Sequence, residues 1–156
     1  MNAITTLAAP NDLLRMNWAD AQLPIDWRSP MGSRGLLLVM IHGTWCHACL
    51  EQITWLQRKH VWLTEQGIGI LAVAMDNTWQ VEAFTSALSA PLPFRLIADD
   101  GAALARALGL YDETKRFTRS AVLLIDCAGG VHFAQLDEHT LPEQARLLDA
   151  IVHMPL

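Results

Sequence analysis

Basic residues and long apolar runs are both scarce in this sequence. Its 156 residues include 11 Lys and Arg against 16 Asp and Glu, for a net charge of −5. A nucleic-acid-binding protein needs a basic face, so this balance argues against a nucleic-acid partner. No apolar run approaches the roughly 20 residues that span a bilayer, so we expect no membrane partner.

The beginning of the chain lacks the pattern of a secretory signal. Residues 1–24 contain neither a basic n-region nor a continuous apolar h-region, so we expect a cytoplasmic protein. Internal repeats and linkers are absent as well. With 52% hydrophobic residues, the chain suits a single domain with a sizeable core. We predict an N-terminal extension over residues 1–33 that packs on a domain over residues 34–156.

Only three cysteines are present, too few for a disulfide framework. Cys46 and Cys49 form a Cys-x-x-Cys pair, which in a cytoplasmic protein indicates redox catalysis or metal binding. A zinc site would need a second ligand pair, and the sequence supplies none with suitable spacing. A covalent haem site needs His directly after the second cysteine, where Leu50 stands instead. We therefore expect neither a metal nor a cofactor.

The Cys pair lies where a predicted strand is followed by a predicted helix. Residues 36–41 form a continuous apolar run, typical of a fully buried strand. Residues 46–66 carry apolar side chains at helical spacing, and Gly67 gives a C-terminal stop. Active sites of α/β proteins lie at the carboxyl ends of strands. An inert buried pair is the alternative, and this placement argues against it.

The remaining elements complete an α/β pattern. Further strands are predicted over residues 68–75, 94–97, 121–125 and 131–135. Helices are predicted over residues 78–89, 101–109 and from 140 onward, with a loop over residues 110–118. The order β-α-β-α-β-α-β-β-α implies a central, mostly parallel sheet with an antiparallel C-terminal hairpin and helices on both faces.

A Cys-x-x-Cys pair at a helix N-terminus can cycle between dithiol and disulfide. The helix dipole and the unpaired N–H groups favour the thiolate of Cys46, and Cys49 lies one helical turn further on the same face. A protonated His47 would stabilise that thiolate and make the disulfide more oxidising. Trp45 supplies a flat apolar surface beside the sulfur, and Thr44, directly before it, is a further supporting residue.

Two other residues have competing interpretations. His42 is either a proton shuttle or a hydrogen-bonded scaffold residue, and the scaffold interpretation is favoured. Cys127 ends a strand whose start should lie beside the Cys pair, and seven strand residues cover about 23 Å. Because a disulfide needs Cα atoms within about 7 Å, we predict that Cys127 is an ordinary turn cysteine. A disulfide between two copies of the chain, and with it a homodimer, stays open.

The segment Trp45 to Cys49 resembles the thioredoxin motif, with His47-Ala48 in place of Gly-Pro. LPFRLIAD at residues 92–99 and AVLLIDCAGG at residues 121–130 are similar to segments of the peroxiredoxin-related branch. That branch comprises the alkyl hydroperoxide reductase/thiol-specific antioxidant family and its redoxin relatives. The resemblance covers about residues 34–137 and implies a thioredoxin-like fold with thiol redox chemistry.

The chain departs from both families at the wall that would face the cysteines. Peroxiredoxins carry a Pro-x-x-x-Thr-x-x-Cys loop that this chain lacks, and Cys49 would match their peroxidatic position. Their peroxide-binding Arg is expected at Ser120, and Arg119 comes one residue too early. Thioredoxins place a cis-proline at Ser120 and a buried acid at Met40. The resemblance implies that Arg119 and Ser120 line the facing wall.

These features leave three functions open. The first is thiol–disulfide exchange, in which Cys46 attacks a protein disulfide, Cys49 resolves the mixed disulfide, and a thiol electron donor restores the dithiol. The second is a thiol peroxidase, in which one cysteine becomes a sulfenic acid and Arg119 polarises the peroxide. The third is a non-enzymatic redox sensor or binding module. The intact pair favours the first.

Overall fold

The structure, a computed structural model, describes residues 7–136 and 144–155. Its strands are β1 (Gly35–Ile41), β2 (Ile68–Ala74), β3 (Arg95–Ala98), β4 (Tyr111–Asp112), β5 (Phe117–Thr118), β6 (Ala121–Asp126) and β7 (Val131–Leu136). Its helices are α1 (Pro10–Leu14), α2 (His47–Glu65), α3 (Thr78–Ser86), α4 (Ala103–Ala107) and α5 (Gln144–His153). The predicted start of the last helix, at residues 140–143, lies outside the described residues. Among those residues, no helix has the length and apolar character needed to cross a membrane.

Five strands form the main sheet, in the order β3-β2-β1-β6-β7. β1, β2 and β3 run parallel, whereas β6 is antiparallel to β1 and β7 is antiparallel to β6. The predicted α/β class with an antiparallel C-terminal hairpin is therefore confirmed, and the arrangement is thioredoxin-like. Ile41 pairs with Ala74, and Met40 pairs with Ala121. The ends of β1 and β2 and the start of β6 thus meet at one edge, which we call the cysteine end because Cys46 follows β1 there.

β1 is buried on both faces, which explains its continuous apolar run. Leu37, Val39 and Ile41 face the core layer that α2 and α5 cover, and the alternate residues face the opposite layer. Trp18 and Trp27 of the N-terminal part pack into that second layer, with ring centroids 5.8 Å apart in an edge-to-face arrangement. The described N-terminal residues thus cover one face of the sheet, whereas the domain boundary after residue 33 stays a prediction.

Arg34 joins the ends of the two helices that cover the first layer. Its Nη1 donates to the carbonyl of Gln66 over 3.2 Å, beyond the last turn of α2. Its Nη2 donates to the carbonyl of Ile151, in the last turn of α5, over 2.8 Å and to that of Met154, directly after α5, over 2.7 Å. Carbonyls at a helix C-terminus have no partner within the helix, so one guanidinium satisfies both ends. Gly67, with φ of 77°, ends α2 as predicted.

The helix predicted over residues 101–109 is shorter than expected. A 3-10 turn over Asp100–Ala102 comes first, and α4 begins only at Ala103. The carboxylate of Asp99 accepts the backbone N–H groups of Leu104 and Ala105 over 2.8 and 3.0 Å. The start of α4 is thus fixed by a side chain that lies before the 3-10 turn.

The predicted loop over residues 110–118 contains a small antiparallel hairpin, formed by β4 and β5. Asp112 accepts the backbone N–H groups of Thr114 and Lys115 with one carboxylate oxygen, over 2.9 and 3.0 Å. Such a side-chain turn replaces the backbone hydrogen bonds that an open loop would leave to water. The helix predicted over residues 78–89 likewise ends earlier, at Ser86.

Candidate active site

Cys46 is the N-cap residue of α2, as the strand-to-helix pattern predicts. Its backbone is extended, with φ of −88° and ψ of 119°, and its carbonyl accepts the N–H of Leu50 over 3.0 Å. Its Sγ accepts the backbone N–H of Cys49 over 3.4 Å. The first sulfur therefore occupies the position in which a helix N-terminus stabilises negative charge.

Cys49 lies in the first turn of α2 and is more deeply buried than its partner. Cys49 is 1% exposed and Cys46 is 7% exposed, and the two sulfurs are not joined in a disulfide. Burial, together with the neighbouring Cys46 sulfur, raises the pKa of Cys49 from 9.0 to about 12, although the backbone N–H groups of His42 and Gly43 oppose this rise. Cys49 consequently keeps its proton at neutral pH, whereas Cys46 occupies the helix N-cap. This asymmetry agrees with Cys46 as the attacking and Cys49 as the resolving cysteine, which stay predicted roles.

Trp45 is 68% exposed and folds back across the turn before α2. A Cβ placed on Gly43 would lie 2.2 Å from Nε1 of this indole, so only a glycine leaves room for it. The indole lies nearly parallel to the His42 ring, with centroids 6.5 Å apart. Trp45 thus presents an apolar surface directly before Cys46, where the sequence predicts one.

His47 lies on the exposed surface of α2, beside a residue of the next helical turn. Its ring nitrogen Nε2 lies 3.7 Å from Oε1 of Glu51, and the two side chains are 91% and 61% exposed. Exposed ion pairs of this kind contribute little energy. The predicted role of His47 in stabilising the thiolate stays a prediction, and the described conformation places its ring beside a carboxylate instead.

His42 is buried beneath this turn. Its backbone N–H donates to Sγ of Cys49 over 3.3 Å, and its Nδ1 is hydrogen-bonded to the carbonyl of Thr118. The ring also packs against Phe117, with centroids 5.2 Å apart. These contacts agree with the favoured interpretation of His42 as a scaffold residue that ties the cysteine loop to the β4–β5 hairpin.

Arg119 and Ser120 come directly before β6, at the cysteine end of the sheet. Ser120 is 1% exposed. The Arg119 guanidinium donates from Nη1 to the carbonyl of Ala8 over 3.1 Å, while the backbone N–H of Arg119 donates to Leu110. The structure therefore places both residues at the cysteine end of the sheet and ties the Arg119 side chain to the N-terminal segment, whereas the facing-wall role of Ser120 stays a prediction.

Asp76 is the residue that the sequence analysis missed. It lies two residues beyond β2, is 6% exposed, and accepts the N–H and the hydroxyl of Thr44 over 2.7 and 2.9 Å. A signal was present, because consecutive parallel strands joined by one crossover helix are usually neighbours, and their carboxyl ends then share one edge. An acidic residue directly after β2 was therefore a candidate neighbour of the Cys-x-x-Cys loop.

Cys127 lies at the other end of the sheet, as predicted. Its neighbour Asp126 pairs with Gly35, the first residue of β1, whereas Cys46 follows the last. The Cys127 sulfur lies 3.4 Å from the carbonyl oxygen of Ser33 and is exposed. It therefore belongs to a different surface from the Cys46–Cys49 pair.

The chain matches the sequence model of the AhpC/TSA family over residues 25–134 and belongs to that family. This membership makes it an oxidoreductase that works through cysteine thiols. None of the curated proteins compared with the chain matches it.

Solved peroxiredoxin structures have a similar fold. One is AhpC from Enterococcus faecalis, with a TM-score of 0.67, 17% identity, and coverage of 77% of this chain and 75% of that one. The reduced 2-Cys peroxiredoxin of Plasmodium vivax has a TM-score of 0.69 at 18% identity, and the match covers 80% of this chain and 69% of that one. Thioredoxin peroxidase I of Plasmodium yoelii has a TM-score of 0.68 at 21% identity, and the match covers 80% of this chain and 76% of that one. At these identities the likeness shows the shared fold.

Proposed function

We propose that this protein is a thiol–disulfide oxidoreductase of the AhpC/TSA family whose Cys46–Cys49 pair reduces disulfide bonds in proteins. The observation that carries the proposal is the asymmetry of the two thiols. Cys46 lies at the N-cap of α2, whereas Cys49 is 1% exposed and its pKa is raised by burial. Since the thiolate is the reactive form, Cys49 is poorly suited to attack peroxide in the peroxidatic position. As the resolving cysteine it attacks a sulfur that is already held one helical turn away, and only after a substrate thiolate has taken its proton.

The reaction takes two exchange steps. The Cys46 thiolate attacks one sulfur of the substrate disulfide, which forms a mixed disulfide and releases the other substrate sulfur as a thiolate. That thiolate takes the proton of Cys49, and the Cys49 thiolate then attacks Sγ of Cys46. The Cys46–Cys49 disulfide forms, the second substrate sulfur leaves and is protonated by water, and the substrate has gained two electrons. A thiol electron donor returns the pair to the dithiol.

Reduction of insulin tests this proposal. The wild-type chain, supplied with a dithiol donor, should precipitate reduced insulin B chain well above the rate of the donor alone. Cys46→Ser should abolish the acceleration, and Cys127→Ser should leave it unchanged. Inactive wild-type protein, or full activity in Cys46→Ser, would contradict the proposal.

Peroxide reduction is the second candidate, and the family match favours it. The structural relatives named above include a thioredoxin peroxidase and a 2-Cys peroxiredoxin. If this chain acts on peroxide, free thiol should disappear with hydrogen peroxide at rates far above those of free cysteine, and Arg119→Ala should slow that loss. If disulfide exchange is the main activity, Arg119→Ala should change neither the rate of insulin reduction nor the rate of thiol loss, because the Arg119 guanidinium is bound to the carbonyl of Ala8.

A cytoplasmic location and a homodimer stay predictions.

A further inference from the structure

A row of aromatic rings runs from Cys46 to the β4–β5 hairpin. The Trp45 indole, directly before Cys46, lies nearly parallel to the His42 ring, with centroids 6.5 Å apart. The His42 ring contacts Phe117 of β5, with centroids 5.2 Å apart. We call Trp45, His42 and Phe117 the aromatic row. Trp45 is 68% exposed and Phe117 is half-buried, so both ends of the row reach the surface, whereas His42 between them is buried.

Positive charge lies at the hairpin end of the aromatic row. The Lys115 ammonium is 5.9 Å from the centre of the Phe117 ring. Lys115 and Arg116 are both exposed, and neither forms an ion pair with any residue that the structure describes. An apolar surface that begins beside the reactive cysteine thus ends at two cations.

The acidic side chains of the hairpin do not cancel this charge. Glu113 is paired with Arg106, which leaves Asp112 against Lys115 and Arg116. The hairpin therefore carries an excess of one positive charge, whereas the whole chain carries −5. The charge of the whole chain favours basic partners and that of the hairpin favours acidic ones. The two charges thus predict opposite preferences, which an experiment can separate.

The turn of the hairpin is held by backbone groups. The N–H of Lys115 donates to Oδ1 of Asp112 over 3.0 Å, and the N–H of Arg116 donates to the Asp112 carbonyl over 2.7 Å. The Lys115 ammonium takes no part in these bonds. Replacing the Lys115 side chain therefore removes a charge and leaves the hydrogen bonds of the turn in place.

We propose that the aromatic row and the hairpin form the surface on which the substrate docks, and that this surface selects acidic polypeptide disulfides. An apolar residue beside the substrate cysteine packs on the exposed Trp45 indole, and a substrate carboxylate binds at Lys115. An extended peptide advances about 3.3 Å per residue, so that carboxylate lies within roughly six residues of the substrate cysteine. The occupant is the oxidised substrate of the proposed function, on which this inference rests.

Three peptide disulfides test this selection. Each is a disulfide-linked dimer of a peptide with Cys in the centre, Leu on both sides, and three Glu, three Gln or three Lys at each end. Dithiothreitol, which is uncharged, serves as the donor, and its own rate is subtracted. At low salt, kcat/KM for the acidic dimer should exceed that for the neutral dimer roughly three- to fivefold, and high salt should bring the ratio toward one. Equal values at low salt, or a preference for the basic dimer, would overturn the proposal.

Lys115→Gln and Lys59→Gln make the same chemical change at two places. Lys59 is the other lysine of the chain and lies on α2, about 20 Å along the helix from Cys46. Lys115→Gln should lower the acidic-to-neutral ratio about twofold or more, whereas Lys59→Gln should leave it within about 1.5-fold of the wild type. Circular dichroism should show that both variants are folded. Equal effects of the two substitutions would show that net charge sets the ratio and would overturn the proposal.

Binding of an unreactive peptide separates this proposal from the proposed function. The acidic peptide with Ser in place of Cys should shift the amide signals of residues 111–118 and the indole signal of Trp45 in nuclear magnetic resonance spectra, and should shift them less in Lys115→Gln. Such shifts without reduction of any disulfide would support the docking surface and contradict the proposed function. Reduction of all three dimers at equal rates, without shifts in the hairpin, would contradict the docking surface alone. Neither reduction nor shifts would contradict both.

Discussion

The backbone N–H of His42 donates a hydrogen bond to Sγ of Cys49 over 3.3 Å. His42 directly follows β1 and Cys49 lies in the first turn of α2, so this contact joins the last residue of the strand region to the helix. It also places the Cys49 sulfur beneath the loop, where burial outweighs the effect of the N–H donor on its pKa. The different environments of the two sulfurs follow from this arrangement.

The protonated state of Cys49 predicts how stability changes with pH. The unfolded chain releases this proton near the ordinary pKa of 9.0, whereas the folded protein holds it to about 12. The contribution of protonated Cys49 to the free energy of unfolding is therefore fully present below about pH 9 and is lost as the pH rises toward 12. Between these values, the free energy of unfolding of the wild type should fall relative to that of Cys49→Ala by up to about 1.4 kcal/mol per pH unit.

Urea unfolding at pH 8, 9 and 10, with a reductant present, measures this difference. Cys127→Ser is the control, because the Cys127 thiol that it removes is exposed. Its free energy of unfolding, plotted against pH, should run parallel to that of the wild type. If the wild type and Cys49→Ala also gave parallel curves, the raised pKa of Cys49 would be contradicted.

Arg34 should be a major contributor to stability. Arg34→Met removes three hydrogen bonds to carbonyls at the ends of α2 and α5. Charged donors at helix C-termini also interact favourably with the dipole, so we expect a loss of about 2–4 kcal/mol in the free energy of unfolding. Arg28→Met is the control, since that guanidinium lies 4.2 Å from the centre of the Trp27 ring and its loss should cost about 1 kcal/mol or less. If chemical denaturation gave the same loss of unfolding free energy for Arg34→Met and Arg28→Met, the carbonyl contacts of Arg34 would be unimportant for stability.

Trp45 should contribute to the binding of protein substrates rather than to the reactivity of the thiol. Trp45→Ala removes the exposed indole beside Cys46 and should lower kcat/KM for insulin roughly tenfold, with alkylation of Cys46 changed less than twofold. Trp79→Ala is a matched control, because that indole is 74% exposed, compared with 68% for Trp45, and lies on α3. Equal losses in both variants would indicate a general effect of surface tryptophans.

The parts of the fold that were predictable are those encoded by local patterns. The apolar run of β1 predicts a strand buried on both faces, and the helical spacing after Cys46 predicts α2. The end of α2 follows from Gly67, because glycine adopts the positive φ that stops a helix. These signals need no knowledge of distant contacts. The β4–β5 hairpin was missed because its strands have only two residues each, too few to show an alternating pattern. Its turn is held by the Asp112 carboxylate, which accepts two backbone N–H groups, and by a backbone bond from Arg116 to the Asp112 carbonyl.

The site was predictable in its sulfurs and less so in its surroundings. The spacing of Cys46 and Cys49 and their position after a strand indicate redox chemistry directly. The orientation of His47 toward Glu51 and the contact of Arg119 with Ala8 each depend on which of several neighbours a long or rotatable side chain selects. Asp76 required the additional inference that the residues following β2 reach those following β1.

Trapping the mixed disulfide tests the central claim most directly. Cys49→Ser in a Cys127→Ser background lacks the resolving thiol, so a reduced sample mixed with a peptide disulfide should retain one peptide half on Cys46. Intact-mass and peptide-mass spectrometry should locate that adduct at Cys46, and addition of dithiothreitol should remove it. The account predicts a stable adduct in this variant and an internal Cys46–Cys49 disulfide, with no adduct, when Cys49 is present. Absence of any adduct at Cys46, or attachment at Cys49 in the matching Cys46→Ser variant, would contradict it.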